Sequence, residues 1–393
     1  MKNTFFKIIT AVTVCFSVIA VTPFKSAAVM YGHPGASFVL EDPGTWRGVN
    51  LPLFVHKSDE KNLSQAEFDY AAEAGANIIR LCVFADPKYR RFSKFTDENN
   101  KVLNENPGLE DISVAVEMAH KAGLKVIVDM HTMPGATDGE IWGKAEYWET
   151  LRTLWKRVAE KFKGNPTVVA YDLMNEPNIT VYLKDAGVNR SMFQGAWSPP
   201  SDWKDSPRDY NSQMKNIMED IRDVDADRWL IIEGFGMLGN PVNYNWMKPI
   251  NLSDKHVIYS FHMYVPTNLT NIGVKEFKER NLVGEAFDKS SDTRKIDNAL
   301  APVLAFQKKY KVPIFVGEFG VTNDAIFNSD ANGHPYNGAC WLNVVVNKFN
   351  EYKWGWTFWD FWVDIRKPKS KEDPRYLILN KAFTGEMVDG YCK

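Results

Sequence analysis

Eight short apolar or β-branched runs recur along this 393-residue chain, and they constrain its fold more than any other feature. Each run has the length of a strand, and the segments between them have the length and period of helices. Strands that alternate with helices pair in parallel, and eight such repeats favour closure into a (β/α)8 TIM barrel. The predicted strands are Trp46–Leu51, Asn77–Val83, Lys125–Met130, Val168–Met174, Trp229–Glu233, Val257–Phe261, Pro313–Val316 and Gly355–Trp359.

Helical patterns fill most of the intervals between these runs. The interval between the fifth and sixth strands gives only a weak helical signal. An open, doubly wound sheet is the alternative fold, and it is less favoured because no glycine-rich phosphate turn follows the first strand. The predicted helices are Gln65–Ala74, Ile112–Lys121, Ala145–Phe162, Asp209–Val224, Asp292–Tyr310 and Ala339–Asn350.

Long connections follow the fourth and sixth strands. About 30 residues separate Glu176 from the helix near Asp209, and another long stretch follows Tyr264. Connections of this length are usually functional, and in a barrel the connections after strand ends form the catalytic face. We therefore predict a single barrel domain over residues 29–393 with long loops on that face.

Two glutamates each follow an apolar strand. Glu176 lies in Asn175-Glu176-Pro177, and Glu318 lies in Gly317-Glu318-Phe319-Gly320. Two carboxylates that face each other across a barrel mouth can cleave a glycosidic bond without a cofactor, one as proton donor and one as nucleophile. We predict that these two residues are catalytic.

Three polar residues on other strands could serve this pair. Arg80 ends the run Asn77-Ile78-Ile79-Arg80 in the second strand and needs a carboxylate partner in a barrel mouth, for which Glu318 is the natural choice; a structural ion pair elsewhere is the alternative. His262 and Tyr264 follow the sixth strand at alternate positions, so they share a face.

His131 follows the third strand, and Asp129, two residues earlier, shares its face. They raise a rival interpretation, a metal-dependent barrel hydrolase with His and Asp ligands. Such a site requires several imidazoles together, and only His131 and His262 are suitably placed. We therefore predict no metal and no cofactor.

Taken in order, these residues resemble glycoside hydrolase family 5, the cellulase-type family of clan A. The resemblance covers the chain from about Trp46 to the C-terminus, and every family position finds a matching residue. It rests on Arg80, His131, Asn175-Glu176-Pro177, His262, Tyr264, Glu318 and Trp359, on strands two, three, four, six, seven and eight.

The resemblance implies a role for each residue in a retaining reaction. It makes Glu176 the acid/base, Glu318 the nucleophile and Asn175 the ligand of the sugar 2-hydroxyl. It further implies that His131 binds sugar hydroxyls, that Arg80 and Tyr264 support Glu318, that His262 orients the acid/base, and that Trp359 forms a floor under the reacting sugar. Trp359 could also be a buried core residue, because strand periodicity fits both positions.

The substrate is less well defined by the sequence. An endo-β-1,4-glucanase is our first interpretation, because that activity is the commonest one associated with the family. An exo-β-1,3-glucanase is an alternative, since His131-Thr132-Met133-Pro134-Gly135 is similar to a turn of those enzymes, and a β-mannanase is another. A non-catalytic carbohydrate-binding barrel is disfavoured because both glutamates are present.

Tryptophans in the loops could extend the substrate-binding surface. Trp142, Trp197 and Trp203 fall in segments that could line a cleft, where an indole stacks on a sugar face, although each could equally be a packing residue. Pro199, Pro200 and Pro207 would stiffen the loop that carries the last two. We predict that at least one of Trp197 and Trp203 lines the substrate groove, and Trp142 is a further candidate for substrate contact.

Composition limits the partners and the compartment. A net charge of −2 gives no electrostatic footprint for nucleic acid or anionic lipid. We expect a monomer whose partner is a polysaccharide or oligosaccharide substrate. Lys2, Lys7 and the apolar run Ile8–Val21 predict a signal peptide over residues 1–28, since the run is too short to span a bilayer as a helix. A retained anchor is the alternative; otherwise the mature chain is secreted or periplasmic and free of the membrane.

Three cysteines remain after signal removal, Cys82, Cys340 and Cys392. An odd number at wide spacing is not a disulfide framework. The sequence leaves open whether one disulfide forms.

Overall fold

The eight strands close into a parallel barrel in chain order, with β1 paired to both β2 and β8. The structure is a computed structural model that describes residues 42–55, 62–85, 94–134, 139–179, 201–236, 239–362 and 366–392. The TIM-barrel prediction is confirmed, and the open sheet is wrong. The strands are β1 Arg47–Phe54, β2 Ile78–Phe84, β3 Lys125–Met130, β4 Val168–Asp172, β5 Trp229–Glu233, β6 Val257–Met263, β7 Ile314–Phe319 and β8 Gly355–Phe358.

Helices surround the barrel, and the two longest are α3 and α7. The described α-helices are α1 Gln65–Glu73, α2 Pro107–Lys121, α3 Ala145–Phe162, α4 Tyr210–Arg222, α5 Thr267–Thr270, α6 Lys275–Glu279, α7 Lys289–Tyr310, α8 Asn323–Phe327, α9 Gly338–Glu351 and α10 Pro374–Phe383. Helix α3 has the predicted bounds because Trp148, Leu151 and Trp155 lie on one buried face at helical spacing.

Capping residues explain where helix bounds differ from the prediction. Helix α2 begins five residues before the predicted Ile112, because the Asn106 side chain accepts the Leu109 N–H at 3.2 Å and Pro107 suits the first turn. Between β5 and β6, the described residues contain a 3-10 helix, Pro241–Asn245, rather than an α-helix.

The barrel interior consists of two layers on the same strands. We call the first the lower layer: it is apolar and contains Ile78, Ile127, Ala170, Ile231, Ile258 and Phe315. Two residues further along their strands lie Arg80, Asp129, Asp172 and Glu233, which, with Glu318 from β7, we call the upper layer. Residues two apart on a strand point to the same side, so both layers face the barrel axis. The strand C-terminal ends therefore carry the buried charge.

A disulfide ties the C-terminus to the helical layer. Cys340 in α9 is bonded to Cys392, which answers the question that the sequence left open, and Cys82 is a free, buried thiol. Among the helices within the described ranges, none is both long enough and apolar enough to cross a bilayer. The predicted signal peptide at 1–28 lies outside those ranges.

Candidate active site

Arg80 is the centre of the upper layer. Its fully buried guanidinium contacts Asp172 at 2.9 Å, Glu233 at 2.9 Å, and Asp129 and Glu318 at 3.1 Å each. Burial alone would lower the pKa of Arg80, but the carboxylates of Asp129 and Asp172 raise that pKa well above its ordinary value. Arg80 is therefore a fixed positive charge, and its predicted pairing with Glu318 is present.

Glu318 is held from two sides at the end of β7. The Arg80 Nη1 group donates to Oε1 at 3.1 Å, and the Tyr264 hydroxyl donates to Oε2 at 3.0 Å. Burial and the charge of Glu318 raise the pKa of Tyr264 well above its usual value, so its hydroxyl stays a donor. The preceding Gly317 leaves room for a neighbouring ring, because a Cβ there would lie 3.0 Å from Nε2 of His262.

Glu176 occupies a strained turn after β4. Its φ of +43° is in the left-handed region, which is unfavourable for a residue other than glycine. Its backbone N–H donates to Oε2 of Glu233 at 2.8 Å, and its Oε1 lies 2.9 Å from Nδ1 of His262. Its side chain is 26% exposed, against 7% for Glu318, so Glu176 has the better access to solvent protons.

His262 connects three carboxylates. Its Nε2 lies 3.0 Å from Glu233, and its Nδ1 lies 2.9 Å from Glu176 and 3.5 Å from Glu318. Burial lowers the pKa of His262, but the charges of Glu233 and Glu318 and the hydrogen bonds to Glu176 and Glu233 outweigh burial and raise that pKa well above its usual value. Burial raises the pKa of Glu233, but the charge and hydrogen bond of His262, together with the charge of Arg80, outweigh burial and lower that pKa to about 2.

The two predicted catalytic glutamates lie close together. One carboxylate oxygen of Glu176, one of Glu318 and a ring nitrogen of His262 are all within 4.8 Å of one another. Asn175 joins this group through its side-chain oxygen, which accepts a hydrogen bond from Nη2 of Arg80 at 2.9 Å. The predicted residues of strands two, four, six and seven therefore converge on one point.

His131 and Trp359 lie beside this point, with Nδ1 of His131 3.9 Å from Oε1 of Glu318. Their rings are stacked, with centroids 5.1 Å apart and planes 14° apart, and Nδ1 of His131 lies 2.8 Å from Oδ2 of Asp129. Phe84 packs against the other side of the imidazole at 4.4 Å. The indole of Trp359 is half-buried, which suits a ring that is supported on one side and accessible on the other.

The loop tryptophans do not fit the predicted substrate contacts. Trp142 is fully buried, because its 3-10 turn places the indole against Trp148 and its N–H donates to the Asn178 carbonyl at 3.2 Å. Trp203 is only 5% exposed. Both are packing residues in this structure, whereas Trp197 lies outside the described residues and its role stays a prediction.

Two groups of side chains have the spacing of metal ligands, one formed by Cys82, Asp129 and His131 and the other by Glu176, His262 and Glu318. Arg80 contacts members of both, with Sγ of Cys82 at 3.6 Å and Oε1 of Glu318 at 3.1 Å, and its positive charge opposes a bound cation. Burial raises the pKa of the Cys82 thiol, whereas a metal requires the thiolate. The metal-dependent rival is thus disfavoured by the charges of the site.

Three residues of the site were not predicted. Glu233 ends β5 with the same signal as the two catalytic candidates, an acid that closes an apolar strand, so the sequence could have revealed it. Asp172 lies inside the fourth apolar run. Asn50 donates to the carbonyls of Gly317 and Thr357 at 3.1 and 3.2 Å and accepts a hydrogen bond from Arg80. Its partners on β7 and β8 come near only when the barrel closes.

Comparisons with known proteins agree with this geometry. A family model described as cellulase (glycosyl hydrolase family 5) matches residues 35–364. Endoglucanase C of Acetivibrio thermocellus is 22% identical over 384 residues, covering 85% of this chain and 98% of the relative. A probable glucan 1,3-beta-glucosidase A of Aspergillus fumigatus is 26% identical over 349 residues, covering 83% of this chain and 75% of the relative.

Solved structures share the fold. A hyperthermophilic endo-beta-1,4-glucanase in complex with substrate superposes with a TM-score of 0.64 at 20% identity, covering 87% of this chain and 97% of that one. Cel5A of Thermotoga maritima in complex with mannotriose gives 0.63 at 19% identity, covering 87% of this chain and all of that one. The barrel, the converging carboxylates and the family match lead to one conclusion: the chain belongs to glycoside hydrolase family 5 and is a glycoside hydrolase.

Proposed function

We propose that the enzyme cleaves β-1,4 bonds within a glucan by double displacement, with retention of anomeric configuration. The observation that carries this proposal is the short separation of two differently held carboxylates, with one oxygen of Glu176 and one of Glu318 within 4.8 Å. Retaining enzymes hold their carboxyl groups about 5–5.5 Å apart, whereas inverting enzymes leave about 6.5–9.5 Å for a water molecule.

The surroundings of the two carboxylates suit different roles. Glu318, held by Arg80 and Tyr264, attacks the anomeric carbon while Glu176 donates a proton to the glycosidic oxygen. The bond to the leaving sugar breaks, and a glycosyl ester of Glu318 forms. Glu176 then removes a proton from water, whose oxygen attacks the anomeric carbon and releases Glu318. Asn175 binds the 2-hydroxyl, a contact that strengthens in the transition state.

The choice of a β-1,4-glucan is supported by relatives named endoglucanase, including one from Paenibacillus polymyxa at 24% identity over 68% of this chain and 68% of the relative. Two other substrates have specific support. The Aspergillus fumigatus relative named glucan 1,3-beta-glucosidase favours an exo-acting β-1,3-glucanase. The mannotriose complex of the Thermotoga maritima protein favours a β-mannanase.

A substrate panel tests these choices. Soluble cellulose derivative, mixed-linkage glucan, laminarin and mannan would be digested and the products sized. We expect the first two to yield oligosaccharides of mixed length with a rapid fall in viscosity. Release of glucose from laminarin alone would replace our choice with the exo-β-1,3-glucanase. Proton NMR of the first-formed anomer tests retention, and an initial α-anomer from a β-linked substrate would exclude double displacement.

We also propose that the chain is exported and that the mature enzyme is a monomer. The Cys340–Cys392 disulfide supports an oxidising compartment, and the N-terminal residues have the order of a signal peptide. N-terminal sequencing of the extracellular or periplasmic protein tests the first point, and light scattering of the purified enzyme tests the second.

A further inference from the structure

Glu233 is a buried carboxylate that joins three parts of the active site. Its Oε2 accepts the backbone N–H of Glu176 at 2.8 Å. Its Oε1 accepts Nη2 of Arg80 at 2.9 Å and lies 3.0 Å from Nε2 of His262. The side chain has no exposed surface, so its effect on a reaction passes through these partners.

The first partner controls where the acid/base carboxyl points. Glu176 has a left-handed backbone, and the described contact that holds its N–H is the carboxylate of Glu233. A charged acceptor makes this hydrogen bond stronger than a neutral one. Loss of the bond would let the turn relax and move the Glu176 carboxyl away from the leaving oxygen.

The contact of Glu233 with His262 controls the proton that Glu176 delivers. Because Nε2 of His262 faces a carboxylate, it carries a proton, and Nδ1 is left facing Oε1 of Glu176 at 2.9 Å. This contact contains one further proton, bound either to Nδ1 or to the carboxyl. The negative charge of Glu233 increases the affinity of the Glu176–His262 pair for that proton.

We propose that Glu233 is a positioning residue of the reaction, which holds the backbone of Glu176 and the ring of His262 in the arrangement that proton transfer to the leaving group requires. This inference rests on the proposed function, in which Glu176 is the acid/base.

Other ionisable groups face Glu233 and His262 from the surrounding elements. They are Arg80 from β2, Asp129 from β3, Asp172 and Glu176 from the end of β4, Tyr210 from α4, Tyr244 from the 3-10 helix Pro241–Asn245, and Glu318 from β7. Among these, Asp172 offers a matched control, because it contacts Arg80 at 2.9 Å but neither Glu176 nor His262. Asp172→Asn nearly keeps the size of the side chain and changes only a contact with Arg80.

Kinetics on aryl β-cellobiosides with graded leaving groups test the proposal. For a poor leaving group, we expect Glu233→Gln to lower kcat/KM by roughly 10- to 100-fold. This loss is smaller than the full contribution of a general acid, because Glu176 itself is still present. For the 2,4-dinitrophenyl substrate, which needs little protonation, the loss should stay under about threefold. Asp172→Asn should affect both substrates by the same factor. Equal losses on both leaving groups in Glu233→Gln would make Glu233 merely structural.

The pH profile gives a second readout. Removal of the negative charge should move the alkaline limb of kcat/KM to lower pH in Glu233→Gln, because the Glu176–His262 pair then loses its proton more readily. Glu233→Asp keeps the charge on a shorter side chain, so it should restore the limb while the rate stays reduced. An alkaline limb that is the same in Glu233→Gln and the parent enzyme would overturn the proposal.

NMR of the unmodified protein tests the geometry without substrate, and a variant is needed only to assign the His262 signals. In long-range ¹H–¹⁵N spectra of ¹⁵N-histidine-labelled enzyme, the His262 signals are those lost in His262→Asn. We expect a proton on Nε2 at neutral pH, and a ring protonated only on Nδ1 would overturn the role of Glu233. Failure of the proposed function would appear elsewhere, as undiminished activity of Glu176→Ala or an inverted product.

Discussion

The lower and upper layers of the barrel interior lie on the same set of strands, and they differ in almost every physical respect. Ile78 and Ile231 are uncharged and pack tightly, whereas Arg80 and Glu233 are charged and buried in an ionic cluster. Burial of apolar side chains stabilises a fold, whereas burial of charges costs desolvation free energy that paired contacts only partly offset. The lower layer therefore stabilises the barrel, and the upper layer is retained for chemistry.

The upper layer also contains more acids than its cations can neutralise. Burial raises the pKa of Asp172 well above its usual value; Arg80 opposes this, and the charges of Glu233 and Asp129 add to it. The pKa of Glu233, by contrast, is lowered to about 2. A shared environment thus shifts the pKa values of two neighbouring carboxyl groups in opposite directions, and the lowered one belongs to the group that contacts His262.

Glu318→Ala should give the largest loss of activity. It tests most clearly whether the upper layer serves the reaction rather than the stability of the barrel. Loss of the proposed nucleophile should lower kcat by on the order of 10⁵-fold or more. The apparent Tm should stay equal or rise, because catalytic residues are often held at a cost in stability. Steady-state kinetics and thermal unfolding check both points. A variant that retains activity within tenfold of the parent enzyme would remove Glu318 from the nucleophile role.

Glu176→Ala should have a smaller effect that depends on the substrate. For oligosaccharides, loss of proton donation should lower kcat/KM by roughly 10²- to 10⁴-fold, whereas 2,4-dinitrophenyl glycosides should lose far less. The comparison of the two substrates is the measurement. Equal losses would contradict the division of labour between the two carboxylates.

Ile258→Ala should show the reverse pattern in the lower layer. Truncation of this fully buried side chain should destabilise the protein by about 2–5 kcal/mol, because a cavity remains in a closed barrel. The activity of the folded fraction should change little. Urea unfolding measures the loss, and Val114→Ala, at a residue 55% exposed on α2, serves as the control with an effect near zero. A kinetic defect as large as the stability defect would show that the layers are not separable.

The stability supplied by His262 should depend on pH. Its folded-state pKa is raised, so its contribution to the free energy of unfolding is complete below the unfolded value of about 6.5 and is lost as pH rises through the folded value. The difference in unfolding free energy between the parent protein and His262→Gln should therefore shrink above pH 6.5, by at most about 1.4 kcal/mol per pH unit. If the difference in unfolding free energy grew with pH instead, the folded-state pKa of His262 would be lowered rather than raised.

Chelation should have the smallest effect, which we expect to be none. Arg80 lies against both groups of side chains with metal-ligand spacing, so exhaustive treatment with a chelator should leave kcat unchanged. Dialysis against chelator followed by assay checks this. Activity that vanishes and then returns with zinc would support the rival in which Asp129 and His131 bind metal.

The sequence predicts local features of the fold well because they depend on local patterns. The bounds of α3 follow from one apolar face, and Glu176 and Glu318 are found because each follows an apolar run of the sequence. The Arg80–Glu318 pair is predicted as well, but several other features that depend on how the chain packs are missed. The contact of Glu233 with Glu176 spans two strands, and the burial of Trp142 depends on how a short 3-10 turn packs against α3.

The bond between Cys340 and Cys392 has a practical consequence for anyone who prepares this protein. The two residues are 52 positions apart, and by the chain-entropy relation a cross-link over such a loop stabilises a fold by about 4 kcal/mol. A reducing cytoplasm withholds that bond. An oxidising expression host is therefore the better choice for obtaining the enzyme at its full stability.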